Sequence, residues 1–189
     1  MASEGQARKS KDGGGTAGER VFVALGANLP SPLYGGPRAT LEAALDRLAA
    51  LGVTVEARSR WYESAPVPPS DQPWFVNGVA EVHTGLDPAR LLALLHRVES
   101  EFGRVRGERN APRIVDLDLV AYGDRVAGEA GNADAGPVLP HPRMHERAFV
   151  LLPLRELAPG WRHPRLGRSL DELIAALPPG QVARPLAAS

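Results

Sequence analysis

The sequence predicts an α+β domain with a ferredoxin-like β-α-β-β-α-β core: a mainly antiparallel sheet with helices packed on it in three α-β-α layers. Three observations carry this. Apolar or alternating runs of strand length recur over 21–25, 53–63, 74–83 and 114–122. Two helical patterns, 38–51 and 88–102, fall between them in the split β-α-β order. Each helical pattern has a single apolar stripe, which asks to be laid on a sheet.

The elements follow in order. Val21 to Leu25 is a continuous apolar run, a strand buried on both faces, closed by Gly26-Ala27-Asn28. Over 38–51, Leu41, Leu45 and Leu48 make one stripe with Ala44 and Leu51 beside it, and Gly52 ends it. Residues 53–63 alternate as a strand, and a Pro-rich loop, SAPVPPSDQ, covers 64–72. The strand over 74–83 is expected to be interrupted at Asn77-Gly78. Asp87 caps and Pro88 opens the second helix, with Leu91, Leu94, Leu95, Val98 and Phe102 on one face. A polar, arginine-dense loop over 104–113 leads into the strand 114–122. Residues 127–136 read as a low-complexity surface loop. A helix is expected over 145–157, which Pro153 should kink or end. Ser169 and Glu172 form a capping-box signature for a last short helix to Leu177. Residues 1–19 hold almost no large apolar side chain and are expected to be a disordered tail, 20–178 a single domain, and 179–189 a C-terminal tail.

Composition excludes several classes. Of 189 residues, 43% are hydrophobic, enough for a sizeable core. Lys+Arg is 22 and Asp+Glu is 22, so the chain lacks the basic excess of a general nucleic-acid binder, and none is expected as a partner. With no cysteine there are no disulfides, thiolate metal sites or cysteine nucleophiles. No apolar run approaches the roughly 18 residues of a membrane span, and no apolar leader opens the chain, so a cytoplasmic protein is expected. The only lysines are Lys9 and Lys11, so every later cation is arginine or histidine.

The sharpest chemical signal is Asp116-Leu117-Asp118 within IVDLDLVAY. Side chains alternate on a strand, so Ile114, Asp116, Asp118 and Val120 share one face, and Val115, Leu117, Leu119 and Ala121 the other. Two carboxylates side by side, completed by substrate phosphates, are a common way to hold Mg²⁺. The competing reading is a solvated edge strand. Arg104, Arg106, Arg109 and Arg113 immediately precede it, the composition of a phosphate clamp. A solvated basic loop or a nucleic-acid contact are the rivals, the latter disfavoured by the neighbouring acids and the lack of interleaved aromatics. His141 and His145 have a helical zinc spacing, but Pro142 interrupts them and no third ligand is evident. The glycine-rich nucleotide motifs are absent, as is any Ser/His/Asp arrangement.

Six segments in order, ALGANL (24–29), YESAPV (62–67), QPWFVN (72–77), VESEFGRVR (98–106), APRIVDLDLVAYGD (111–124) and LPHPRMHERAFVLLPLREL (139–157), resemble the 6-hydroxymethyl-7,8-dihydropterin pyrophosphokinase family over residues 20–178. The resemblance implies transfer of pyrophosphate from ATP to the pterin hydroxymethyl group in folate biosynthesis, with AMP released, by a monomer acting on small molecules. It implies two Mg²⁺ ions on Asp116 and Asp118, with ATP as substrate. It places catalytic arginines at Arg104 and Arg113. On chemical grounds a carboxylate that also holds the metal, Asp118 before Asp116, could take the hydroxyl proton. The resemblance places the pterin pocket at Ser64, Ala65, Pro66, Val67, Phe75, Asn77 and Phe149. Nucleotide and phosphate contacts fall on His96, Glu99, Arg106, Arg109, Leu119, His141 and Arg147. Two ring faces can sandwich a flat pterin, and an asparagine amide offers its edge a donor and an acceptor. The chain departs from the family pattern at Ala27 and Pro30, lacks the usual loop lysine, and carries Asn110 where some relatives place Trp. The alternative function is a non-catalytic nucleotide- or RNA-binding α+β module.

Overall fold

The architecture follows from two apolar faces on one antiparallel sheet. A computed structural model describes residues 19–104, 112–128 and 136–187. Residues 1–18 of the expected tail, together with Arg106, Arg109 and Asn110, lie outside the described residues.

Strand β1 (Val21–Ala27) is buried along its whole length because it is central, between β5 (Asp116–Tyr122) and β4 (Phe75–His83). The sheet order is β5-β1-β4-β3-β6, and every pairing is antiparallel. β4 is long enough to carry two partners: β2 (Thr54–Arg58) on one half and β3 (Tyr62–Ser64) on the other. Helix α1 (Pro37–Ala50) and helix α2 (Pro88–Glu101) cover one face, packing Leu41, Leu48, Leu91 and Leu95 on Val21, Val23 and Leu25. Helix α3 (Ala148–Leu157) and helix α4 (Leu170–Ala175) cover the other, packing Leu151, Leu154 and Leu170 on Phe22, Val79 and Val120. The expected three-layer α+β fold is what the chain forms. Among the described residues, no helix is long and apolar enough to cross a membrane.

The helix signals are realised locally. Asp87 Oδ1 accepts the Arg90 N–H at 2.9 Å, and Pro88 opens α2. Ser169 and Glu172 close a reciprocal capping box on α4.

Several expectations are corrected. The strand expected over 53–63 is two, because Ser59 replaces a ladder residue with its side chain. Its Oγ accepts the Val79 N–H at 3.1 Å and donates to the Arg60 carbonyl at 2.7 Å, turning the chain between β2 and β3. β4 passes through Asn77-Gly78 unbroken, because the bare Cα of Gly78 is where the Trp61 ring lies. A bulge in β5 opposite Phe22 and Val23 puts Ala121 on the α3 side with Val120, so the alternation expected beyond Val120 fails there. The helix expected from 145 begins at Ala148, after a 3₁₀ turn at Met144–Glu146, because Arg147 is extended (φ −122°, ψ 109°). Pro153 does not end α3. It is buried in the core, and the helix continues to Leu157. Finally, the tail expected from 179 contains a strand, β6 (Ala183–Pro185), paired with β3.

Gly78 gives this packing a test. A Cβ there would lie 2.8 Å from two carbons of the Trp61 ring, which is only 4% exposed and has no room to retreat. Gly78→Ala should therefore destabilise the fold by about 1–3 kcal/mol. Thermal denaturation should show a melting temperature lowered by about 2–10 °C; an unchanged value would mean Trp61 does not fill the space.

Candidate active site

A row of residues crosses the sheet on its α3 face. In register, Asp116 lies beside Gly26, Gly26 beside Asn77, and Asn77 beside Tyr62. In the next row, Asp118 lies beside Ala24 and Ala24 beside Val79. The two smallest side chains thus sit mid-sheet, between the paired acids and the amide. A Cβ on Gly26 would come within 3.1 Å of Asn77 Oδ1, so glycine here lets the amide lie across β1. The result is a trough, the floor of a cavity of about 420 Å³.

Its walls come from separate elements. The end of β3 supplies Ser64, the loop after it Ala65, Pro66 and Val67, and β4 supplies Phe75 and Asn77. Arg113 approaches from the entry to β5, while Arg143, Arg147 and Phe149 descend from the 3₁₀ turn and the start of α3. Asn77 is 4% exposed and donates to Ser64 Oγ at 2.7 Å. All seven residues expected for the pterin pocket line this cavity, as do Asp116, Asp118, Arg113 and Arg147.

The acids are ringed by arginines. Asp116 pairs with Arg104 at 2.7 Å through Oδ1 and with Arg113 through Oδ2. Asp118 faces Arg147 at 3.8 Å, and the Arg147 guanidinium lies 5.5 Å from the Phe149 ring centroid. Burial, then the neighbouring Asp116 charge, pushes the Asp118 carboxyl up to about 6, against the pull of Arg147 and Arg113. Burial lowers the pKa of Arg147, although nearby Asp118 opposes this.

Of the residues expected to contact nucleotide, Arg147 lines the cavity, while His96, Glu99, Leu119 and His141 lie outside its lining. Glu99, on α2, is buried. Its Oε1 accepts the Leu117 N–H at 2.7 Å and pairs with Arg104, and burial pushes its carboxyl up to about 7. Leu119 packs its side chain into the α1–α2 core. His96 sits on α2, its carbonyl accepting Ser100 Oγ at 2.9 Å. His141 binds the outer edge of β5, donating its N–H to the Val120 carbonyl at 2.8 Å. Burial and then the charge of Arg147 push its imidazole down to about 4, so it is neutral at pH 7. Arg106 and Arg109 lie outside the described residues.

Residue-level reading of the sequence missed three side chains that build the site. Asn28 Oδ1 accepts the Arg113 N–H at 2.8 Å, while its Nδ2 donates to Gln72 Oε1 at 3.2 Å and the Pro73 carbonyl at 3.1 Å. It therefore ties the arginine entry to the loop on the opposite wall. Gln72 and Arg143 both line the cavity. The signal for Asn28 is a buried asparagine directly after an all-apolar strand, where an amide needs partners from elsewhere.

Among the described residues, no group of three or more His, Asp or Glu could hold a metal by itself. Asp116 and Asp118 fit a hard cation in another way. They supply two carboxylates on one face, opening on a cavity with room for the further oxygen ligands such a cation would need.

The chain is similar to known proteins over most of its length. Residues 22–159 match the family model for 7,8-dihydro-6-hydroxymethylpterin-pyrophosphokinase. A 2-amino-4-hydroxy-6-hydroxymethyldihydropteridine pyrophosphokinase from Pseudomonas aeruginosa is 45% identical over 161 residues, covering 85% of this chain and 93% of the relative. The Synechocystis protein of the same name is 40% identical over 155 residues, covering 82% and 74%. Among solved structures, a Plasmodium falciparum HPPK-DHPS triple mutant superposes with a TM-score of 0.61 at 14% identity, a likeness of fold alone. The match covers 85% of this chain and 44% of that one.

The charge balance at Asp118 makes a testable statement. Its folded pKa of about 6 lies above the ordinary aspartate value near 3.9, so the folded state holds the proton more tightly. Stability from this group is present below the ordinary value and lost as pH rises through about 6. Asp118→Asn should therefore melt higher than the parent at pH 8 and equally at pH 4. The side chain is 38% exposed, so solvent screening reduces the gap to about 1 kcal/mol. That corresponds to roughly 2–4 °C, and a lower melting point for the variant at pH 8 would refute the account.

Proposed function

The chain belongs to the 7,8-dihydro-6-hydroxymethylpterin-pyrophosphokinase family and is a pyrophosphokinase, a transferase of folate biosynthesis, and we propose that the cavity on the α3 face is where the reaction occurs. The observation that carries this is the row across the sheet. Asn77 stands on one side of Gly26 and the arginine-ringed carboxylate of Asp116 on the other, with Asp118 in the next row, and Phe75 and Phe149 line the same cavity. The amide and rings suit a flat heterocycle with a polar edge, and the carboxylates with their arginines a polyphosphate.

In this reading the pterin enters between Phe75 and Phe149, with its edge on Asn77 and the Ser64–Val67 loop. ATP lies along the outer edge of β5, its base near Leu119 and His141, and its phosphates reach the carboxylates. The hydroxymethyl oxygen attacks the β-phosphorus, the bond to the α,β-bridging oxygen breaks, and AMP leaves carrying that oxygen. Asp118 accepts the hydroxyl proton. Asp116 and Asp118 would hold Mg²⁺, two ions on the family pattern, and bound magnesium supplies neutralisation of the phosphate oxygens. Arg104, Arg113 and Arg147 stand ready to stabilise charge developing on the transferred group, so catalysis rests on positioning and preorganised charge rather than covalent chemistry. Glu99 acts through Arg104, which it pairs with from the buried side, and not by touching nucleotide. The enzyme is read as a cytoplasmic monomer that acts on small molecules and binds no nucleic acid.

Incubating the protein with Mg²⁺, ATP and the hydroxymethyl pterin should yield AMP and the pterin diphosphate. A binding module would yield neither. Asp116→Asn and Asp118→Asn should each cost at least about 10²-fold in Mg²⁺-dependent kcat. Arg113→Ala should lower kcat and kcat/KM together, with little change in KM for the pterin. Near-normal turnover of both aspartate variants at saturating Mg²⁺ would sink the site assignment.

A further inference from the structure

Arg147 is the N-cap residue of α3. It is extended, squeezed between a 3₁₀ turn and the first residue of α3, and its guanidinium reaches both Asp118 and the Phe149 ring. The backbone on either side of it is therefore what aims the charge. Arg147's own groups are satisfied locally: its N–H donates to the Met144 carbonyl at 3.2 Å, and its carbonyl accepts from Val150 at 3.1 Å and Leu151 at 3.0 Å. The two flanking groups are not. The Ala148 N–H opens a helix and has no intrahelical acceptor, and the Glu146 carbonyl takes its donor from a distant side chain.

A single residue more than thirty positions later meets both. Gln181 Oε1 accepts the Ala148 N–H at 2.9 Å, and Gln181 Nε2 donates to the Glu146 carbonyl at 2.7 Å. Glutamine suits this task because its amide presents one acceptor and one donor side by side. The next residue extends the same contact to the opposite wall: the Val182 carbonyl accepts the Ala65 N–H at 3.1 Å, within the loop that lines the cavity. Pairing of β6 with β3 then fixes this segment to the sheet.

We infer that Gln181 is a positioning residue for the reaction. It clasps the peptide groups before and after Arg147, and so sets where that guanidinium stands relative to Asp118 and the phosphates. The inference rests on the reading of Arg147 as a phosphate contact. A displacement of about 1 Å in a catalytic array can cost on the order of 10²-fold, so loosening one root should cost on the order of 10-fold.

The test is a double-mutant cycle on the full chain, with kcat, the KM for each substrate and the melting temperature measured for every variant. Gln181→Leu removes both bonds. Gln181→Glu keeps an acceptor for Ala148 but sets a carboxylate oxygen against the Glu146 carbonyl, and it guards against loss of folding in the leucine variant. Both should lower kcat/KM for ATP by roughly 10-fold, with Gln181→Glu the milder and the pterin KM within about 2-fold of the parent. In the Arg147→Ala background, either change should have no further effect, because the group it aims is gone. Multiplicative losses in the double variants, or parent-like kinetics for folded Gln181 variants while Arg147→Ala is impaired, would overturn the role of Gln181 alone. Full activity of Arg147→Ala would overturn the reading of Arg147 and this inference with it.

Discussion

Two carboxylates cannot stand side by side on one face of a strand, at the floor of a cavity, without cations brought to them, and much of this molecule is disposed to bring them. Asp116 and Asp118 project together because β5 alternates faithfully up to Val120. Arg104 arrives from the end of α2, Arg113 from the approach to β5, and Arg147 from the head of α3. Helices from opposite layers thus deliver charge to one edge strand. The pattern continues one step deeper, since Glu99 is buried behind Arg104 and answers its charge from the core side. Such a chain of alternating charges offsets the desolvation each member suffers. It also holds the arginines where anions would meet them.

The rest of the site takes its form from what the middle strand omits. Ala24 and Gly26 present almost no side chain between the acids and Asn77, so the sheet itself becomes the cavity floor. A larger residue at either place would fill the space that a planar ligand needs. The same logic places Gly78 one residue beyond Asn77 on β4, where Trp61 on the other face needs the room. Two glycines on adjacent strands thus serve opposite faces of one sheet.

The elements marked by punctuation were legible in the sequence. Gly52 after the first helix, Asp87-Pro88 before the second, and Ser169 with Glu172 at the last mark helix ends close to where they occur. The acid pair was legible as a shared face because strand parity is local. The split of β2 from β3 was not, because it depends on a Ser59 hydroxyl meeting Val79, twenty residues away. β6 was hidden for a related reason: Ala-Arg-Pro has no periodicity, and its pairing with β3 is imposed by the tertiary structure. Within the site, resemblance pointed to the seven residues expected around the pterin, all of which line the cavity, but not to Gln72 or Arg143. The residues that hold it together, Asn28 and Gln181, act across separations of 33 to 85 positions that no local pattern encodes.

Asn28 carries a geometric consequence of its own. One side chain grips the backbone at Arg113 with its oxygen and the loop at Gln72-Pro73 with its nitrogen, so the wall that would face a heterocycle and the wall that would face phosphates share a single crossbar. An amide has a fixed span between those atoms. The spacing between the two halves of the site is therefore gauged by a rigid planar group rather than by the lengths of the intervening loops. Insertions or sequence drift in the Pro-rich segment before Gln72 can alter the rim while the crossbar keeps the gap across the trough constant.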